Sequence, residues 1–230
     1  MIRDIHRRQG GTFTHFGCKI SLADGKHLMR VAIVGGPGIG KSTLLRQLGD
    51  LYHNGTYGEG EEGVWDARML EDIATGRNAV GVTEYFARIY DANYRDAEDH
   101  DRRGRVLFFE GALITLEAHM AEYPLEDHAQ LRKVLSMGAG WNPDKVIVLT
   151  SSIDTVEKHI KLRNRSHEGA ENMIRRFRLI DSEFRRLAPG YPNTVVINRD
   201  GMEFHARRGL VDIINLAGLP MFREIPYETR

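Results

Sequence analysis

The sequence predicts an α/β fold: a parallel sheet of about five strands with helices on both faces. Two observations carry this. Continuous apolar runs at Val31–Val34, Val106–Phe109, Val146–Leu149 and Thr194–Ile197 read as strands buried on both faces. Between them lie stretches with apolar residues at helical spacing, the alternation that builds a covered parallel sheet. In such sheets ligands bind at the carboxyl ends of the strands.

The elements follow in order. Residues 1–10 form a mildly basic tail. Residues 12–30 resemble a hairpin, with Phe13, Phe16, Ile20 and Leu22 leading to the turn signal Ala23-Asp24-Gly25-Lys26. Val31–Val34 is the first core strand, and residues 41–52 form a helix with Leu44, Leu45 and Leu48 on one side. A short strand near Tyr57 precedes a helix from Trp65 to Thr75. Val82–Ala97 is a longer helix whose apolar stripe is Phe86, Ile89, Tyr90 and Tyr94. After the charged loop Asp99–Arg105 and the strand Val106–Phe109, residues 113–138 are helical with a break at Pro124. The strand Val146–Leu149 leads to a helix Ile153–Leu162, capped by Ser151 or Ser152. Met173, Ile174, Phe177, Ile180, Phe184 and Leu187 mark another helix. The last strand is Thr194–Ile197 and the last helix Phe204–Leu216, and the tail after Leu219 is irregular. The domain reading is a tail and possible hairpin over 1–29, one main domain over 30–217 with a lid at about 161–172, and a tail over 218–230.

The octapeptide Gly35-Gly36-Pro37-Gly38-Ile39-Gly40-Lys41-Ser42 fits G-x-x-x-x-G-K-[ST], the phosphate-binding P-loop. It lies at a strand-to-helix turn, where the mechanism requires it. Its glycines let consecutive N–H groups face one concavity, and the helix N-terminus adds attraction for phosphate. Lys41 can reach the β- and γ-phosphates of ATP. The Ser42 hydroxyl can ligate Mg²⁺, with Thr43 beside it. A glycine-rich turn that binds nothing is the plainer alternative, but the Lys-Ser pair at this spacing has no structural purpose without a phosphate. The fold class is thus a three-layer P-loop NTPase fold.

Size and composition narrow the rest. The 230 residues suit one domain with a sizeable core. Lys plus Arg and Asp plus Glu each number 32, and this balance argues against non-specific nucleic-acid binding as the main role. One cysteine, Cys18, allows no intrachain disulfide and points to a reducing compartment. No apolar run approaches a membrane span, and no long apolar segment follows Met1–Arg8. The expected location is the cytoplasm, with no membrane partner and a homodimer left open. The ten histidines show no H-E-x-x-H or paired Cys/His spacing, so a zinc site is not expected.

Further residues carry candidate chemistry. Glu110 ends the strand Val106–Phe109 and would lie beside the P-loop, able to hold Mg²⁺; a carboxylate capping the next helix is its plainer reading. Arg163 and Arg165, followed by Glu168, could close over a triphosphate, against a solvated helix end. Arg175, Arg176 and Arg178 read as a solvated helix face. In Tyr57-Gly58-Glu59-Gly60-Glu61-Glu62-Gly63-Val64-Trp65, a carboxylate could take the proton of an attacking hydroxyl and Trp65 could stack on a base. Glu59 is the first choice of base, with Glu61 close behind. A flexible acidic loop with Trp65 in the core explains the stretch equally well. Phe86 and Arg88 could wall an acceptor pocket, although aromatic residues at this spacing are more often core. Asn198-Arg199-Asp200-Gly201 falls near the nucleoside end of a bound ATP or is a simple turn.

With these residues in place, the chain resembles the P-loop kinase group that contains deoxynucleoside kinases and thymidylate kinases. The resemblance covers residues 30–217. It rests on Gly35–Ser42, the acidic segment Glu59–Trp65, Glu110 after its strand, Pro143–Leu149 and the lid-like Arg163–Glu168. It implies a glutamate base on the acceptor hydroxyl and lid arginines on the ATP phosphates. Where the family has an arginine that helps to hold the acceptor, this chain has Gly111-Ala112. The expected activity is transfer of the γ-phosphate of Mg·ATP to a deoxynucleoside or deoxynucleoside monophosphate. Two rivals are a kinase acting on a hydroxyl of a modified base in DNA, such as 5-hydroxymethyluracil, and an ATPase switch. The basic loop Arg102-Arg103-Gly104-Arg105 could meet the DNA backbone in the first of these.

Overall fold

The apolar runs build the sheet because each strand of its centre is covered on both faces. The computed structural model of the chain describes residues 19–21, 29–52, 55–59, 67–98, 106–163, 170–203, 207–220 and 223–225. Strand β2 (Met29–Gly35) lies between β4 (Val106–Glu110) and β5 (Lys145–Thr150). β3 (Thr56–Tyr57) flanks β4, and β6 (Thr194–Asn198) flanks β5. All four pairings are parallel, so the five strands end on one side. β1 is the strand Lys19–Ser21.

Helices α1 (Lys41–Tyr52), α2 (Ala67–Thr75), α3 (Ala79–Glu98), α4 (Leu113–His119), α5 (His128–Leu135), α6 (Ile153–Arg163), α7 (Ala170–Leu187) and α8 (Arg207–Ala217) surround the sheet. The two-residue period of a strand divides the core. Val31, Ile33, Ile147 and Leu149 pack with Leu44 and Leu48 of α1 and Ile213 and Ile214 of α8. Their alternates Ala32, Val34, Val146 and Val148 pack with Ile114 of α4 and Ile180 and Phe184 of α7. Leu107 and Phe109 face a third cluster, with Tyr57, Tyr90 and Tyr94 and with Trp141, which lies just before β5. Phe109 is stacked between Tyr57 and Tyr94, at centroid separations of 4.9 and 4.4 Å. Tyr90 and Tyr94 of the α3 stripe are therefore core, with Phe86 and Ile89 partly buried against them.

Local signals explain several boundaries. The Oδ1 of Asn78 accepts the Gly81 N–H at 3.3 Å, capping α3. The Ser152 hydroxyl accepts the Thr155 N–H at 3.4 Å, so Ser152 caps α6. Pro124 stands between two 3-10 turns, Met120–Glu122 and Leu125–Asp127, which divide the expected helix 113–138.

The structure departs from expectation in three places. β6 is an edge strand, with Val196 45% exposed, rather than a fully buried one. β1 pairs antiparallel with β7 (Arg223–Ile225), so its partner is the C-terminal segment expected to be irregular, and not the strand that follows it. The turn expected at residues 23–26 lies outside the described residues. The last helix is described from Arg207, and residues 204–206, where it was expected to begin, lie outside the described residues. The third departure concerns Arg176, which is no part of a solvated face. Its guanidinium grips Glu122 through Nε at 2.5 Å and Nη2 at 3.1 Å, tying α7 to the turn after α4. No helix of the described residues is long and apolar enough to cross a membrane.

Glu122 also lies 2.6 Å from His119 Nδ1. Burial pushes its carboxyl up, but the charges and hydrogen bonds of His119 and Arg176 outweigh burial and hold it at about 2. A carboxyl depressed on folding contributes stability that is present above its unfolded value, near 4.5, and fades as pH falls toward 2. Glu122→Gln is expected to lower stability at neutral pH by about 2 kcal/mol and to flatten the loss between those limits, measured by urea unfolding across pH.

Candidate functional site

The site forms at the end of β4, where its neighbour β2 runs on for two more residues. Their register sets Ile33 beside Glu110, and the Gly111 N–H donates to the Ile33 carbonyl at 3.3 Å. Beyond this level β2 runs on through Gly35 into the phosphate loop, and α1 begins at Lys41. The first bond of α1 is donated by the Leu44 N–H to the Gly40 carbonyl at 3.0 Å. The N–H groups of residues 41–43 belong to the opening turn, the part of a helix that lacks partners within it and favours an anion. Gly38 and Gly40 have φ of +77° and +97°, values that side-chain-bearing residues rarely adopt.

The loop is fixed from below. Ile39 is fully buried in the core, so this residue faces inward and can offer a ligand its backbone only. A Cβ on Gly36 would stand 2.6 Å from the ring of Phe177, which packs α7 directly against the loop. Pro37 is half-buried between these contacts. The buried Arg199, at the end of β6, donates from Nη1 to the Ile39 carbonyl and from Nη2 to the Met202 carbonyl at 3.4 Å. Its neighbour Asp200 accepts the Ser151 hydroxyl at 2.6 Å and the Ser152 N–H at 3.0 Å, which fastens the β6 loop to the start of α6. The stretch is a turn, closed by the Met202 N–H donating to the Arg199 carbonyl at 2.8 Å, and it also braces the phosphate loop.

Across from the loop, the Ser42 hydroxyl donates to Glu110 Oε1 at 3.0 Å, and Lys41 Nζ stands 4.0 Å from the same oxygen. Thr43 is half-buried behind them. Glu110 is 6% exposed. Burial pushes its carboxyl up and the charge of Glu59 adds to this, while Lys41 and the Ser42 hydroxyl pull it back. A buried carboxylate beside a hydroxyl offers hard oxygen donors, and this set fits Mg²⁺. Among the described residues no group of three His, Cys, Asp or Glu could hold a metal by itself. A metal here would thus share its ligands with phosphate.

Glu59 follows β3 and is half-buried. Its Oε1 accepts the hydroxyl of the buried Tyr90 at 2.5 Å. Burial raises the Tyr90 hydroxyl well above its usual range, and Glu59 and Glu110 raise it further, so it stays protonated. Glu59, Glu110, Lys41 and Ser42 therefore converge. Glu61, Trp65 and Arg165 lie outside the described residues, and Arg163 is described only as the last residue of α6. Phe86 is half-buried against Tyr90, with ring centroids 6.4 Å apart. Arg88 points outward, its side chain 70% exposed and paired with Glu84 at 2.7 Å. Sequence reasoning missed Tyr90, which had no signal beyond its place in an apolar stripe. It singled out the stretch with Arg199 but not the bond from Arg199 to the Ile39 carbonyl, for which the sequence carries no signal.

Arg199→Met removes the donor that holds the Ile39 carbonyl. Affinity for nucleotide is expected to fall about tenfold by calorimetry. An unchanged affinity would mean that the loop keeps its shape without this brace.

Comparison with known proteins agrees with this geometry. No curated protein matches the chain in sequence. Among solved structures, deoxyadenosine kinase from M. mycoides with bound dATP superposes with a TM-score of 0.62 at 17% identity, covering 81% of this chain and 97% of that one. Thymidylate kinase from Candida albicans gives 0.59 at 12% identity, covering 86% and 96%. NadR protein in complex with NR gives 0.57 at 18% identity, covering 87% of this chain and 52% of NadR. The fold is therefore that of the P-loop nucleotide kinases. Residues 30–197 match the family described as AAA domain, and the chain belongs to that family.

Proposed function

We propose that this chain is a phosphotransferase that moves the γ-phosphate of Mg·ATP to a deoxynucleoside or a deoxynucleoside monophosphate. The observation that carries the reading is the meeting of a phosphate loop, the Ser42–Glu110 pair and Glu59 at the ends of three adjacent strands. The backbone of residues 35–43 would cradle the triphosphate, and Lys41 would neutralise charge on the transferring group. Ser42 and Glu110 would hold Mg²⁺, which when bound shields the phosphate oxygens. Glu59 would receive the proton of the acceptor hydroxyl. Arg163 and Arg165 would close from the lid. Such catalysis is positioning and electrostatics, so these groups suffice for the donor half. The likeness in fold to deoxyadenosine kinase and thymidylate kinase supports the acceptor class.

One observation favours a second acceptor, a hydroxyl of a modified base in DNA. Gly111 stands where the resembled kinases carry an acceptor-holding arginine, which suits an unusual acceptor. Binding to hydroxymethylated DNA that weakens steeply with salt would favour this reading.

The test is transfer of labelled γ-phosphate to nucleosides, monophosphates, and normal and hydroxymethylated DNA. Lys41→Ala is expected to abolish transfer to whichever acceptor responds. Glu59→Gln is expected to slow transfer by about 100-fold or more while ATP binding is kept. Steady ATP hydrolysis with no acceptor labelled would instead identify an ATPase switch. If Glu59→Gln keeps full turnover and Glu61→Gln loses it, Glu61 is the base.

A further inference from the structure

The Tyr90 hydroxyl is buried among aromatic rings, yet it reaches out of that cluster to one oxygen of Glu59. Its ring lies on the Cα of Gly111, immediately after Glu110. Gly111 has φ of +97°, and a Cβ there would stand 2.2 Å from Tyr90 Cζ and 2.5 Å from its hydroxyl oxygen. No side chain can occupy that place while Tyr90 holds Glu59. Trp141 braces the ring edge-on at 5.7 Å, and its own indole N–H donates to Asp91 at 3.3 Å. The hydroxyl thus approaches Glu59 from a rigid base. The arrangement serves no helix cap and no strand pairing.

We propose that Tyr90 is a positioning residue that aims Glu59 at an uncharged alcohol acceptor, an inference that rests on the phosphotransferase reading above. The Tyr90 hydroxyl on Oε1 holds the Glu59 carboxylate in one orientation. The acceptor O–H gives its proton to Glu59 as its oxygen bonds to the γ-phosphorus. The bond from that phosphorus to the β,γ-bridging oxygen breaks, its electron pair leaves on that oxygen, and ADP departs. A base held in place in this way serves an acceptor that must lose a proton as it reacts. An alcohol must lose one, whereas a phosphate monoester dianion has none for Glu59 to take.

Water is an uncharged hydroxyl that any such site meets, so basal ATP hydrolysis tests the idea without a known acceptor. Tyr90→Phe keeps the ring on Gly111 and removes only the donor. It is expected to lower kcat of hydrolysis about tenfold with KM for ATP unchanged. Glu59→Gln is expected to lower it further, and the double variant to match Glu59→Gln alone, because Tyr90 acts through Glu59. With labelled ATP, thymidine and deoxyadenosine should accept phosphate faster than their 5′-monophosphates. The proposal is overturned if Tyr90→Phe keeps full kcat, if the double variant loses the product of the two single losses, or if the monophosphates are the faster acceptors. Full hydrolysis by Lys41→Ala, or no turnover of any kind by the unaltered chain, would instead overturn the phosphotransferase reading beneath it.

Discussion

The level at which β2 and β4 stop governs everything else in this molecule. Parallel pairing sets Ile33 beside Glu110, and β2 then continues for two more residues before the loop turns. That offset brings the first turn of α1 back over the end of β4, so Ser42 meets Glu110 at 3.0 Å. A slip of one residue would send Glu110 to the opposite face of the sheet. The apolar alternation on both faces of β2 and β5 resists such a slip, because it would unpack two core clusters at once.

The two sides of the site differ in charge. Lys41 and the opening turn of α1 form a positive side suited to a triphosphate. Glu59 and Glu110 form the acidic side, and burial makes the charge of Glu110 costly unless a cation or a proton donor compensates it. Lys41 and Ser42 do part of this for Glu110, and Tyr90 does it for Glu59. Phosphoryl transfer asks for such a division, with developing negative charge on one side and a proton to be accepted on the other.

Much of this was legible in the sequence because it is local. The four apolar strand runs, the octapeptide and the acid ending Val106–Glu110 are each contiguous, and each lies where it was expected. The contacts that were not legible join distant residues with no period between them. Arg199 reaches Ile39 across 160 positions, and Arg176 reaches Glu122 across 54. Tyr90 reads as one more aromatic in a stripe, and only the folded chain shows that its hydroxyl leaves the core for Glu59. Edge exposure of β6 depends on sheet order, and Thr194–Ile197 does not encode that order.

The central claim is that the phosphate loop and Glu110 together hold a magnesium-bound nucleoside triphosphate. Calorimetric titration of the unaltered chain and of Glu110→Gln with ATP, each with and without Mg²⁺, tests it most directly. The account predicts that Mg²⁺ strengthens binding to the unaltered chain and that Glu110→Gln loses most of this gain. Equal affinity with and without the metal in the unaltered chain would contradict it.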